Sequence, residues 1–125
     1  MALINKWLNL IIVMISVATL ASGLFQMVAP DVIMNIIEAD KTATSEHFFR
    51  IVGMFMFLFG GLMLHTIYST EPGKPAVLWA ALQKIGAFVG VGLGIFLGIF
   101  SMLALSVALF DLFSGVLFLY YYKKL

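Results

Sequence analysis

Residues 86–98 read GAFVGVGLGIFLG, an apolar run in which Gly86, Gly90, Gly94 and Gly98 recur at every fourth position and Gly92 is added between them. In water such a segment would make a poor helix, because each interior glycine costs about 1 kcal/mol relative to alanine. In a bilayer, lipid tails are as apolar as leucine, and helices associate through close van der Waals contact that small residues permit. The stretch therefore reads as a membrane span and as the central packing element of its chain.

The rest of the sequence agrees with that solvent. Of 125 residues, 63% are hydrophobic and 10% charged, against roughly 45–50% and 25% in globular domains. The formal net charge of +1 and the scattered basic residues point to neither nucleic acid nor a strongly acidic partner. With no cysteine, a disulfide, a thiolate nucleophile, an iron–sulfur cluster and cysteine-ligated zinc are all excluded. The predicted fold is all-α: one polytopic domain over 1–125, an integral membrane bundle of four transmembrane helices with a short interfacial helix after the first span.

Trp7 to Val28 carries no charge over 22 residues, enough to cross a hydrocarbon core of about 30 Å. Lys6 before an apolar run also fits a signal peptide, but ATLASG offers no clean small-x-small cleavage site, so retention as a span (7–28) is expected. Asn9, Ser16, Thr19, Gly23 and Gln26 share one face of this helix and are read as packing groups turned inward. The polar connection that follows carries Asp31, Glu38, Asp40 and Lys41. Within it, Pro30 suits a first helical turn, and Val32, Ile33, Ile36 and Ile37 give an apolar side to a short interfacial helix. Thr44 or Ser45 is the expected cap of the second span (47–68), with Glu46 in its first turn. Arg50 is expected to pair with Glu46 or to reach the headgroups. Gly53 and Gly60 or Gly61 share its face as small points of helix contact. STEPGKP then breaks the chain at Pro72, Gly73 and Pro75.

Ala76 to Tyr122 is almost continuously apolar. As one straight helix it would be about 70 Å long, more than twice the hydrocarbon core. It must turn back, and Gly98 to Met102 is the predicted turn, dividing the run into spans of about 76–97 and 101–122. With four spans, Lys6, Lys74, Lys123 and Lys124 share one side against Glu71, and every Trp and Tyr lies near the same side. The positive-inside rule and the aromatic belt both place that side, with the N- and C-termini, in the cytoplasm of a cell whose inner (plasma) membrane holds the chain.

Lys84 and Asp111 are the two ionisable residues deep in the spans. A charge at the bilayer centre costs at least ~2.5–3.5 kcal/mol and so marks a candidate site. A salt bridge is one expectation; the other is that Lys84 snorkels toward the cytoplasm, since side chains tilt toward their own helix N-terminus. Asp111 shares a face with Ala104, Ala108 and Gly115, which is expected to meet the glycine zipper of the third span. Gln83, Lys84, Arg50 and Asp111 form the predicted intramembrane polar cluster. Within it, a helix-pinning hydrogen bond that Asp111 accepts from Gln83, Lys84 or Arg50 is favoured over a proton or cation relay, which a single acid without a second carboxylate or a nearby His serves poorly. His47 and His65 are 18 residues apart on one helix, about 27 Å, too far to hold one metal. The eight Met residues show no ligand spacing and are read as packing. GVGLG lacks the preceding strand that a phosphate loop needs, and no serine, histidine and acid can be assembled for nucleophilic catalysis.

GLFQMVAP at the end of the first span, FFRIVG with Arg50 and Gly53 followed by Gly60 and Gly61, and Asp111 in the fourth span resemble the small four-helix bacterial membrane proteins grouped around DoxX. Some members accompany redox enzymes or other membrane complexes, so the resemblance implies an accessory role. The chain is also similar to small multidrug transporters in size and in its glycine-rich third span. It lacks the acid those transporters require in the first span, where Gln26 is the polar residue near the end. The expected function is that of a non-enzymatic accessory or assembly subunit without a cofactor, packing through Gly86, Gly90, Gly94 and Gly98 into a homo-oligomer or a larger membrane complex. An oligomeric transporter or channel using Asp111 is the first alternative, and a lipid or quinone binder the second.

Overall fold

The computed structural model describes residues 2–71 and 73–125, with side chains from residue 6 onward; the expected breaker Pro72 lies outside the described residues. Among the described residues five helices follow one another: α1 (Ala2–Val28), α2 (Pro30–Ile36), α3 (Ala43–Tyr68), α4 (Lys74–Phe96) and α5 (Ala104–Lys124). The chain is all-helical among the described residues, and α1, α3, α4 and α5 are long and apolar enough to cross a membrane.

The helix ends follow local chemistry. Thr42, and not Thr44 or Ser45, caps α3: its side chain accepts from the Ser45 backbone N–H at 3.0 Å, while the Ser45 hydroxyl accepts from the Thr42 N–H at 2.8 Å. This reciprocal pair satisfies two N–H groups that a helix start leaves open, and it draws the helix back to Ala43. At the other breaker, Gly73 caps α4 and Pro75 falls in its first turn, where a missing N–H costs nothing. The expected turn between α4 and α5 is present but longer, from Leu97 to Leu103. Gly98 adopts φ +74°, a conformation that glycine enters without the Cβ penalty. Ile99 and Phe100 then both donate backbone N–H groups to the Gly94 carbonyl, at 2.8 and 3.1 Å, closing an open C-terminal acceptor of the helix.

The bundle is built from two close pairs, α1 with α3 and α4 with α5. The first pair is joined through glycine. A Cβ placed on Gly23 would come within 2.5 Å of the Gly53 carbonyl oxygen, and one on Gly60 within 2.7 Å of the Leu20 nitrogen. The backbones of α1 and α3 therefore touch along this line, the approach that small residues allow between apolar helices. The second pair closes on α5, where Ala104, Ala108 and Gly115 are buried and a Cβ on Gly115 would meet Ile85 at 2.8 Å and the Ala81 carbonyl at 3.3 Å.

The two pairs share a core of Leu8, Ile12, Ile15, Met63, Val77, Ala80, Ala81 and Phe118, toward the end of the bundle where α1 begins and α5 finishes. At the opposite end α2 buries Met34, and the Ser101 N–H donates to the Ile37 carbonyl at 2.7 Å, tying the α4–α5 turn to the end of the short helix.

The expectation that α4 packs centrally through its glycines is corrected here. Beyond the backbone of α4 itself, a Cβ on Gly86, Gly90 or Gly92 would meet nothing within 4 Å among the described residues, and Gly94 is covered by the ring of Phe100 from the turn that follows it. The buried face of α4 carries Val77, Ala80, Ala81 and Lys84. At about 100° per residue, Gly86 lies some 200° around the helix from Lys84, and Gly90 about 180° from Ala81. Burying the side that carries the charge turns those two glycines outward. The small face of α5 does meet α4, but at Ala81 and Ile85.

Candidate functional site

Lys84 sits in the middle of α4 and Asp111 in the first half of α5, and both face the interior of the bundle. Lys84 Nζ lies 3.3 Å from Asp111 Oδ1, with their side chains 4% and 12% exposed. These fractions decide between the two expectations for the lysine: it is paired inside the bundle and does not snorkel to an interface. The tilt of each side chain along its own helix is overcome because an unpaired ammonium in an apolar interior costs more than the reach needed to find a carboxylate.

The ammonium has a second partner that spacing along the chain does not reveal. Lys84 Nζ donates to Thr19 Oγ1 at 2.6 Å, although no Cα of α1 among the described residues comes within 8 Å of one on α4. The long lysine side chain bridges the separation, so one cation holds α1, α4 and α5 together. The ring of Phe110 stands 5.0 Å from the same nitrogen, within the range in which an aromatic face attracts a cation. A hydroxyl, a carboxylate and a ring thus surround one ammonium, giving it donors' partners where water is scarce.

Two members of the expected cluster are placed differently. Arg50 is exposed, and its guanidinium donates to the Met27 carbonyl, one of the acceptors that the C-terminus of α1 leaves open. The Gln26 amide donates to the Phe49 carbonyl at 2.9 Å nearby, so Gln26 and Arg50 together stitch the end of α1 to α3. Arg50 neither pairs with Glu46 nor joins the ion pair. Lys84 lines the same small pocket as Gly60, which is ten residues beyond Arg50 on α3 and so about 15 Å away along the axis. Gln83 does lie next to Lys84, but its Oε1 is buried without a hydrogen-bond partner, and Asp111 Oδ1 accepts from Lys84 and not from the Gln83 amide.

Thr19 is the member that sequence reasoning passed over. It stood with Ser16 and Gln26 on a polar face of α1, a sign that the face turns inward, but the register of α1 against α4 is not written in either helix. Ser16 satisfies itself locally, donating to the Ile12 carbonyl at 2.7 Å, and Ser114 does the same to Phe110 at 2.7 Å. His47 and His65 are both exposed, and no group of three metal-ligating side chains occurs among the described residues. The arrangement is suited to holding helices in a fixed register around a neutralised charge. Comparison with protein-family models, curated proteins and solved structures returns no match to this chain.

Proposed function

We propose that the chain is an accessory or assembly subunit of a plasma membrane, acting through helix packing and not through catalysis. The observation that carries this reading is the open side of α4. Gly86 and Gly90 have no neighbour within 4 Å of a Cβ position, while the glycines that close the fold are Gly23, Gly53, Gly60 and Gly115. Each unused interior glycine weakens the helix by about 1 kcal/mol relative to alanine, and no contact among the described residues offsets that loss. A helix from another subunit laid against Gly86 and Gly90, between the exposed side chains of Leu82, Val89 and Leu93, would offset it by close backbone approach.

The pairing of Asp111 with Lys84 supports the same reading over a relay, because the carboxylate is already engaged in fixing the bundle. The clustering of Lys6, Lys74, Lys123 and Lys124 at one end supports cytoplasmic termini. The partner helix belongs to a second copy or to another protein of a larger complex. Since the chain contains no cysteine, single cysteines at Val89 or Leu93 test the surface directly. Oxidation in native membranes should join either position to a partner, while a cysteine at Phe113, exposed on α5, should give no comparable product. Absence of any product from Val89 and Leu93 would remove the support for the reading.

A further inference from the structure

At the end of the bundle where α1 begins and α5 finishes, an open notch of about 190 Å³ is lined by Leu8 and Asn9 of α1 and by Tyr121, Lys124 and Leu125 at the close of α5. A single water needs about 10–15 Å³; this notch has room for a group of several atoms. Its chemistry is mixed. Leu8 and Leu125 are apolar, the Asn9 amide can donate two hydrogen bonds, and the Lys124 ammonium can donate three. Lys124 is exposed, and the one ion pair among the described residues is Lys84–Asp111, so no carboxylate among them neutralises it. The ring of Tyr120 lies 5.2 Å from its nitrogen. A ring face attracts the ammonium but leaves its charge in place, and the flexible four-carbon stem lets it turn into the notch. Lys74 stands in the same way 5.0 Å from the ring of Tyr122, and Lys6, about one turn before Asn9 on α1, is exposed as well.

We propose that this notch seats the headgroup of an anionic phospholipid. The phosphate accepts hydrogen bonds from Lys124 and Asn9, while Leu8 and Leu125 meet the glycerol and the first acyl carbons. The depth suits such a ligand. Both α1 and α5 have the length and composition of membrane spans, the notch lies at their ends, and the exposed Trp7 and Tyr120 beside it are residue types that settle at headgroup level. A free phosphate would gain nothing from the two leucines, whereas a lipid covers them. Each lysine near the surface strengthens the attraction to anionic lipid by about fivefold. Binding here requires α1 and α5 to span a bilayer, and it is independent of any helix seated on α4.

The test is native mass spectrometry of the full chain in mild detergent, titrated with phosphatidylglycerol, with phosphatidylcholine and with inorganic phosphate. One phosphatidylglycerol held more tightly than phosphatidylcholine is expected. Lys124→Gln should reduce that preference by about fivefold and Asn9→Leu should also lower it, while Lys41→Gln, between α2 and α3 at the opposite end, should leave it unchanged. Equal binding of the two lipids, a preference that survives Lys124→Gln, or displacement of the bound lipid by inorganic phosphate at equal concentration overturns the proposal. A second measurement needs no variant protein to fold: in phosphatidylglycerol bilayers, solid-state NMR should show the Lys124 side-chain nitrogen dipolar-coupled to lipid phosphorus. A nitrogen without that coupling overturns the proposal as well.

Discussion

Lys84 and Asp111, on neighbouring helices and 27 positions apart in sequence, bring Nζ and Oδ1 to 3.3 Å inside the apolar bundle. A buried ion pair of this kind contributes little net stability compared with two apolar side chains, yet removing one partner leaves the other charged and alone. Lys84→Met and Asp111→Leu are therefore each expected to destabilise the protein by about 3–5 kcal/mol, whereas the double substitution recovers most of the loss. Thermal unfolding of the four proteins in one detergent gives the cycle. Losses that simply add would mean that the two side chains do not depend on each other.

Glycine substitutions should sort by helix. Gly23→Ala, Gly53→Ala and Gly60→Ala each place a methyl group within 2.5–2.9 Å of backbone atoms on the facing helix, so α1 and α3 must part and the unfolding midpoint should fall. Gly86→Ala, placed in open space, should raise the stability of the isolated chain by up to about 1 kcal/mol through helix propensity alone. A fall of equal size at Gly86 would contradict the packing described above.

The cap of α3 offers a local test. Thr42→Ala removes the acceptor for the Ser45 N–H and should cost about 0.5–2 kcal/mol. Faster amide exchange confined to the first turn of α3 is the expected signature, with the bundle interior unchanged.

Much of this architecture is legible in the sequence, because hydropathy and helix length are properties of single segments. The four long apolar helices, the seven-residue α2 that begins at Pro30 and the reversal at Gly98 all follow from local patterns that need no knowledge of neighbours. Which face of a helix is buried is another matter when nearly every face is apolar. On α4 the glycine repeat is the most conspicuous pattern, but the buried charge at Lys84 sets the interior side. Thr19 was hidden for the same reason: its bond to Lys84 depends on how α1 sits against the α4–α5 pair. Arg50 looked like part of the cluster because it is the one strong charge in its span, and its height on α3 instead aligns it with the open end of α1.

The outward glycines of α4 are proposed to seat another helix. Native mass spectrometry of the protein extracted from its own membranes in mild detergent, unsubstituted and as Gly90→Leu, tests it most directly. A defined assembly is expected for the unsubstituted chain, either with a second protein or with copies of itself, and its loss in Gly90→Leu while the monomer remains folded. A bare monomer in both samples, or an assembly that survives the substitution intact, would contradict it.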